Sequence, residues 1–152
     1  MATERILTTN YTQRPLFIWN NRFNSLTATY TNSTGDEVTL TKGMLIGRIS
    51  ASGLVQQAIS TATDGSQVPI GVLAADYTVA NGASASVKFC IQGDVDYGLL
   101  VYGGSPVDTI DTVISLVDDN SDTVAIGTIG DILNGKGILP IATTQMTFED
   151  NQ

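Results

Sequence analysis

The sequence predicts a β-rich α+β fold: a small mixed β domain with one or two short helices and an extended N-terminal arm. Val, Ile and Thr account for 46 of the 152 residues, and branched side chains pack well on a pleated sheet. Residues 86–92 alternate between apolar and polar side chains, which is typical of a half-buried strand. Short apolar runs are separated by Gly, Asn and Asp turn signals. The length favours one domain with an appendage.

The composition excludes several classes of function. The chain has no His and one Cys, so neither a Ser-His-Asp or Cys-His catalytic set nor a Cys/His zinc site can be built. The formal net charge is −8, which argues against a nucleic-acid partner because phosphate contacts need clustered Lys and Arg. The apolar runs are far shorter than the roughly 20 residues of a membrane helix, and no signal peptide is evident. We therefore expect no nucleic acid or membrane partner, no cofactor and no metal.

Residues 1–34 are predicted to form the extended arm, and residues 35–152 the β-rich domain, with the folded part beginning near Glu37. Five of the ten aromatic residues lie in this arm: Tyr11, Phe17, Trp19, Phe23 and Tyr30. The apolar centre of the arm, residues 14–19, is compatible with two roles. It could cover the domain's own core, or it could capture a partner, since aromatic and Arg side chains are enriched at protein interfaces.

The first half of the domain is predicted to contain short strands and a hairpin. Residues 37–41 form a strand, and residues 44–50 and 54–60 form a hairpin whose loop contains Gly53. Asp64-Gly65 is a turn signal, and the small apolar run at 68–75 is compatible with a buried strand. Another turn is predicted at Asn81-Gly82.

The alternating strand 86–92 has two distinct faces. One carries Val87, Phe89 and Ile91, and the other carries Lys88, Cys90 and Gln92. Cys90 is therefore interpreted as a small strand residue rather than a nucleophile, since no His is present to lower its pKa. Residues 99–102 are predicted to form a further strand that ends at Gly103-Gly104.

The last third of the chain is less regular. Residues 106–117 fit a helical face and a strand equally well, and both alternatives stay open. Residues 118–122 form a polar turn, and residues 124–134 a short helix that ends at a Gly-rich stop signal. A strand at 138–142 and a frayed tail at 148–152 complete the prediction.

The carboxylates offer little evidence of a catalytic or metal site. The acidic turn 118–122 does not match a calcium loop, because the sixth and twelfth positions from Asp118 are Thr and Ile where Gly and Glu are needed. The pairs Asp94/Asp96 and Asp108/Asp111 are close in sequence, whereas the two carboxylates of a glycosidase normally come from distant segments. We therefore predict that the protein is not an enzyme.

Three stretches resemble the lambda-type bacteriophage head decoration (capsid cementing) protein family. Residues 63–75, Thr-Asp-Gly-Ser-Gln-Val-Pro-Ile-Gly-Val-Leu-Ala-Ala, are similar to the family's TDG…AVGIL segment. Residues 87–95 resemble the strand that follows and its Gly-containing turn, and residues 129–138 resemble the family's C-terminal helix and strand. The resemblance covers roughly residues 37–142, although residues 103–123 do not map clearly onto it.

The resemblance implies a structural virion protein without catalytic activity. It would be a homotrimer that binds the outer surface of a phage capsid at three-fold and quasi-three-fold positions and stabilises the expanded head. Its partners would be the major capsid protein and itself, and it would be made in the cytoplasm of a host bacterium. The arm would make the capsid contacts through Arg14, Leu16, Phe17, Ile18, Trp19 and Phe23. The alternatives are another surface-display or adhesion module (a head-fibre base or a glycan-binding protein) and a carboxylate-based hydrolase.

Overall fold

The computed structural model describes residues 23–117 and 120–141. Within these ranges the fold is strand-rich with a single short α-helix, so the predicted fold class is confirmed. The strands are β1 (Asn24–Thr31), β2 (Val38–Leu40), β3 (Leu45–Arg48), β4 (Val55–Gln57), β5 (Pro69–Leu73), β6 (Tyr77–Val79), β7 (Ser84–Asp96), β8 (Val113–Val117), β9 (Thr123–Thr128) and β10 (Ile138–Ile141). A 3-10 turn covers Tyr97–Leu99, and the helix α1 covers Ile129–Gly135.

The long strand β7 is the centre of a six-stranded sheet. The strands follow the order β1-β7-β5-β3-β4, and β10 adds to β7 in parallel along Gly93–Asp96. The two ends of this order, β1 and β4, also contact each other, so the twisted sheet curls towards closure. Two small antiparallel pairs, β2-β6 and β8-β9, complete the described fold.

The strand β7 separates two hydrophobic clusters. Successive side chains of a strand point to opposite faces, and Val87 and Phe89 belong to one cluster while Cys90 belongs to the other. All three are fully buried. The two faces predicted for residues 86–92 are therefore confirmed, and both are buried at this point of the strand. The cluster that contains Cys90 also contains Ile114 of β8 and Ile129 and Leu133 of α1, so it joins the C-terminal elements to the main sheet.

Several predicted turns and strands are confirmed. The hairpin of β3 and β4 pairs Ile46 with Gln57 and Arg48 with Val55, and Gly53 in its loop has a φ of +73°, a conformation that favours glycine. The predicted strands at 37–41, 68–75 and 138–142 correspond to β2, β5 and β10. The helix α1 ends before Gly137, as the stop signal predicted.

The prediction that the folded part begins near Glu37 is wrong. Residues 24–31 form β1, which pairs antiparallel with β7 from Asn24 opposite Gln92 to Thr31 opposite Ser84. Most of its side chains are exposed or half-buried because it lies at the end of the strand order, so the sequence shows no clear alternation there. Residues 1–22 lie outside the described residues. The division into a capsid-binding arm and a domain stays a prediction.

Two further element predictions need correction. The strand predicted at 99–102 is reduced to a single parallel bridge between Val101 and Met44. Leu99 instead ends a 3-10 turn, which the Asp96 side chain caps by accepting a hydrogen bond of 2.9 Å from the Gly98 N–H. The helix predicted at 124–134 begins only at Ile129, since residues 123–128 pair with β8 as β9. In the undecided stretch 106–117, a strand begins at Val113 after a series of turns. The tail at 148–152 lies outside the described residues.

Candidate functional site

Of the six predicted capsid contacts, one is described by the structure. The other five, Arg14, Leu16, Phe17, Ile18 and Trp19, lie outside the described residues. Phe23 is half-buried and packs against the core cluster of its own domain, and the Lys88 Nζ lies 6.0 Å from the centre of its ring. A contact of Phe23 with a capsid stays a prediction.

The N-terminal segment, residues 1–22, joins the sheet where β1 and β10 both begin. The Asn24 Nδ2 donates a hydrogen bond of 2.7 Å to the Gln92 Oε1, and the Gly93 N–H donates one of 3.0 Å to the carbonyl of Gly137. Phe23, Gln92 and Leu139 line a shallow depression at this junction. The N-terminal segment is therefore tethered at one fixed place on the sheet.

The strand β1 is an edge strand. It pairs with β7 on one side and lies at the end of the strand order, and Leu26 on it is 51% exposed. Its other side faces β4 without ladder pairing, so the sheet itself restricts how far this edge can pair with another chain. This edge begins directly after the N-terminal segment, so the two features are adjacent in the sequence and in space.

The segment 63–75, which carries the family resemblance, is fixed by local hydrogen bonds. The Asp64 Oδ1 accepts hydrogen bonds from the backbone N–H of Ser66, at 3.0 Å, and from the Ser66 hydroxyl. The Gln56 amide donates to the Asp64 Oδ2 at 3.0 Å. These hydrogen bonds, chiefly those from Ser66, lower the pKa of Asp64 from its usual value. The segment thus has a structural role: it holds the turn that leads into β5.

The hairpin of β8 and β9 presents large apolar side chains to solvent. Val113 and Val117 on β8 are 53% and 65% exposed, and Val124 and Ile126 on β9 are 46% and 41% exposed. The register of the pair places Val113 and Val117 on one face of the hairpin and Val124, opposite Leu116, on the other, so apolar side chains are exposed on both faces. The sequence alone does not reveal these exposed side chains, because residues 106–117 fit a helix and a strand equally well and the pattern at 124–134 predicts a helix.

The candidate catalytic groups have structural partners. The Asp108 carboxylate is buried and accepts hydrogen bonds from the backbone N–H and the hydroxyl of Ser60, and the Asp96 carboxylate caps the 3-10 turn. Burial raises the pKa of the Cys90 thiol. Within residues 23–117 and 120–141 no group of three His, Cys, Asp or Glu residues could hold a metal ion. No described helix has the length and apolarity of a membrane span.

A comparison with known families gives a match over most of the chain. The profile of the family described as bacteriophage lambda head decoration protein D matches residues 7–112. The chain belongs to this family. The resemblance of residues 63–75 and 87–95 is thereby confirmed, whereas the similarity suggested for residues 129–138 lies outside the match. No curated protein matches the chain.

Membership makes this chain a structural protein of phage heads, so it binds a capsid and resides on the virion. The match begins inside the N-terminal segment, covers the strands β1 to β7 and ends directly before β8, so β10 of the main sheet lies outside it. The N-terminal segment from residue 7 onward is thus part of the family's sequence pattern, while the exposed hairpin of β8 and β9 lies beyond it.

Proposed function

We propose that this head decoration protein is a homotrimer that cements the outer surface of the expanded capsid. It binds at three-fold and quasi-three-fold positions, and its N-terminal segment contacts the major capsid protein. The observation that carries the proposal is the extent of the family match, which includes residues 7–22 together with the sheet to which they are tethered.

The chemistry of the N-terminal segment supports a role in capture. It contains Arg5, Arg14 and Arg22 against Glu4, and its apolar centre at residues 16–19 combines Leu, Phe, Ile and Trp. Arg and large aromatic side chains dominate the free energy of many protein interfaces. An extended segment of this kind would bind by adding a strand to an exposed sheet edge of the capsid protein through backbone hydrogen bonds.

Three-fold association strengthens this binding. Three N-terminal segments on one trimer bind with a high effective concentration once the first is bound, which raises the affinity by about 10²–10⁴-fold. The exposed aliphatic side chains of β8 and β9 support contacts between copies, since a single chain leaves them in solvent.

Cementing follows from selective binding to the assembled lattice. A protein that binds the expanded lattice and not free capsid subunits stabilises the lattice by RT ln(1 + [L]/Kd), about 2.7 kcal/mol per site at a hundred-fold excess over Kd. Residues 91–152 contain ten acidic residues and one Lys. Among them Asp111, Asp122 and Asp131 are exposed, and their negative charge favours solubility and repels neighbouring trimers.

The capsid-binding role is tested by truncation. The deletion is made at residues 1–22, because β1 starts at Asn24 and a cut at residue 34 would remove a strand of the sheet. We expect the truncated protein to unfold cooperatively like the full chain and to leave expanded heads undecorated in a sedimentation assay.

Two substitutions sharpen that test. Trp19→Ala should weaken head binding by about 2 kcal/mol if Trp19 is a hot spot, while Thr29→Ala, at an exposed position of β1, serves as the control and should bind like the wild type. Unchanged occupancy of the heads by the truncated protein would show that the N-terminal segment is not the capsid contact.

The trimer is tested by light scattering of the free protein. A homotrimer has a mass of about 48 kDa, three times the 16.0 kDa of one chain. Val117→Asp, on the exposed hairpin, should lower this mass, and Thr78→Asp, at an exposed position of β6, should leave it unchanged. A mass of 16 kDa for the wild type at high concentration contradicts a trimer in solution.

A further inference from the structure

The place where the N-terminal segment joins the sheet is built from three parts of the chain. Phe23 and Asn24 lie at the start of β1, Lys88 and Gln92 lie on β7, and Gly137 follows helix α1. We call these five residues the root cluster. Gln92 is its central residue, because it contacts both the start of β1 and the turn before β10.

An irregularity in the strand pairing brings Asn24 opposite Gln92. The register between β1 and β7 shifts between Asn24 and Ser25, so that Ser25 pairs with Cys90 while Asn24 pairs with Gln92. Bulges of this kind redirect a side chain or end a pairing. Here the shift allows a hydrogen bond of 2.7 Å from the Asn24 amide to the Gln92 amide oxygen, between two exposed side chains.

The other side of Gln92 is confined by Gly137. A Cβ atom at residue 137 would lie 3.2 Å from the Gln92 Cγ, and Gly137 has a φ of +79°. A glycine at this position therefore leaves room for the Gln92 side chain beside the turn. The backbone bond from Gly93 to the Gly137 carbonyl, 3.0 Å long, holds that turn against β7.

Phe23 adds a contact with the body of the domain. Its ring packs on the cluster that contains Cys90, and the Lys88 Nζ lies at 6.0 Å from the ring centre, at the outer limit of a cation–π contact. Lys88, Cys90 and Gln92 alternate with Phe89 and Ile91 and therefore share one face of β7. The first residue after the N-terminal segment thus lies on the same face as Gln92.

We propose that Gln92 is a positioning residue for capsid binding: it fixes Asn24, and with it the start of β1 to which the N-terminal segment is attached. This inference rests on the proposed function, since it assumes that the segment binds the capsid. A segment whose root is held in place loses less conformational entropy when it binds, so its affinity is higher. Gln92 itself acts through Asn24 and need not contact the capsid.

The first test needs no capsid. Trp19 is the only tryptophan and lies four residues before Phe23, so its fluorescence anisotropy decay reports motion near the root. We expect Gln92→Ala to increase the amplitude of the nanosecond component of that decay. Asn24→Ala should have the same effect. The double variant should add nothing further, because the two substitutions remove the same hydrogen bond.

The control is a similar bond at the other end of the same strand pair. The Thr31 and Ser84 hydroxyls, both exposed or half-buried, are 2.8 Å apart between β1 and β7. Ser84→Ala removes this exposed cross-strand bond but should leave the Trp19 decay unchanged. Gln92→Glu, which keeps the acceptor oxygen, should retain the wild-type decay. Equal decays for Gln92→Ala and the wild type would overturn the proposal.

The second test is head binding. Gln92→Ala should bind expanded heads about three- to tenfold more weakly than Ser84→Ala, the range expected for ordering one or two additional side chains. If Gln92→Ala changes the Trp19 decay but binds heads like Ser84→Ala, the positioning role is wrong. If the protein that lacks residues 1–22 still decorates heads normally, the proposed function of the segment fails instead, and the two failures are distinguishable.

Discussion

Gly47 on β3 and Ser66 in the turn before β5 touch backbone to backbone. A Cβ atom added at Gly47 would overlap the carbonyl oxygen of Ser66, and Gly47 is also paired with Pro69 at the start of β5. The turn at 63–66 is therefore docked directly on the sheet. The family resemblance of residues 63–75 thus coincides with a tightly packed structural unit.

The first prediction concerns this contact. Gly47→Ala should lower the free energy of unfolding by about 1–3 kcal/mol or more, because the neighbouring atoms are backbone and cannot move aside. Gly135→Ala, in helix α1 where the added Cβ meets no atom within 4 Å, should be neutral or stabilising. Urea denaturation measures both. Equal stability of the two variants would mean that the backbone contact is not close.

The second prediction concerns Asn32, which is fully buried. Its side chain donates to the carbonyls of Asp36, at 2.7 Å, and Val79, at 2.8 Å, and accepts from the backbone N–H and hydroxyl of Thr34. Asn32→Ala should cost about 1–3 kcal/mol, since the buried carbonyl of Val79 and the partly buried groups of Thr34 and Asp36 lose their partner. Thermal and urea unfolding provide the measurement.

The matched control for Asn32 is Asn81→Ala. The Asn81 side chain accepts one exposed bond of 3.1 Å from the Gly35 N–H, so its removal should cost less than about 1 kcal/mol. If both variants lose the same free energy of unfolding, the hydrogen bonds of Asn32 contribute no more to stability than the single bond of Asn81.

The third prediction concerns pH. Hydrogen bonds from Ser66 lower the pKa of Asp64 below its usual value of 3.8, so the folded state favours the ionised form. This contribution to stability is fully present above the pKa that Asp64 has in the unfolded chain. It is lost as the pH falls through the lower pKa that Asp64 has in the folded state. Asp64→Asn should therefore lower stability at pH 7 and lessen the fall in stability below about pH 4.

Denaturant unfolding across the pH range measures this effect. Thr39→Ala, at an exposed position of β2, is the control without a titrating group and should follow the wild-type curve. If Asp64→Asn loses stability with falling pH as steeply as the wild type, Asp64 is not held in its ionised form by these hydrogen bonds.

The fourth prediction concerns the single thiol. Cys90 is fully buried on β7, and burial raises its pKa, so the thiolate population at neutral pH is small. A disulfide reagent at pH 8 should react with native protein only at the rate of its opening or unfolding. Unfolding in urea should give one fast thiol per chain. Fast modification of the native protein would show that β7 is accessible at this residue.

Local sequence patterns predicted those elements that local interactions determine. Gly53 marks the hairpin loop because its positive φ suits glycine. The alternation at residues 86–92 identified both faces of β7, since a strand has a period of two. The absence of His and the single Cys limited the catalytic and metal sites that the chain can build, whatever its fold.

The strands that the sequence did not predict are determined by pairing partners distant in sequence. Residues 24–31 became β1 because β7, some 60 residues later, supplies their hydrogen bonds, and residues 123–128 became β9 because β8 pairs with them although their apolar pattern also fits a helix. The cluster around Gln92 exists only because β1, β7 and the turn at Gly137 meet. Thus the turns and the family could be predicted from the sequence alone. The register of the strands and the side chains that surround Gln92 could not, because they depend on contacts between residues distant in sequence, which no local pattern contains.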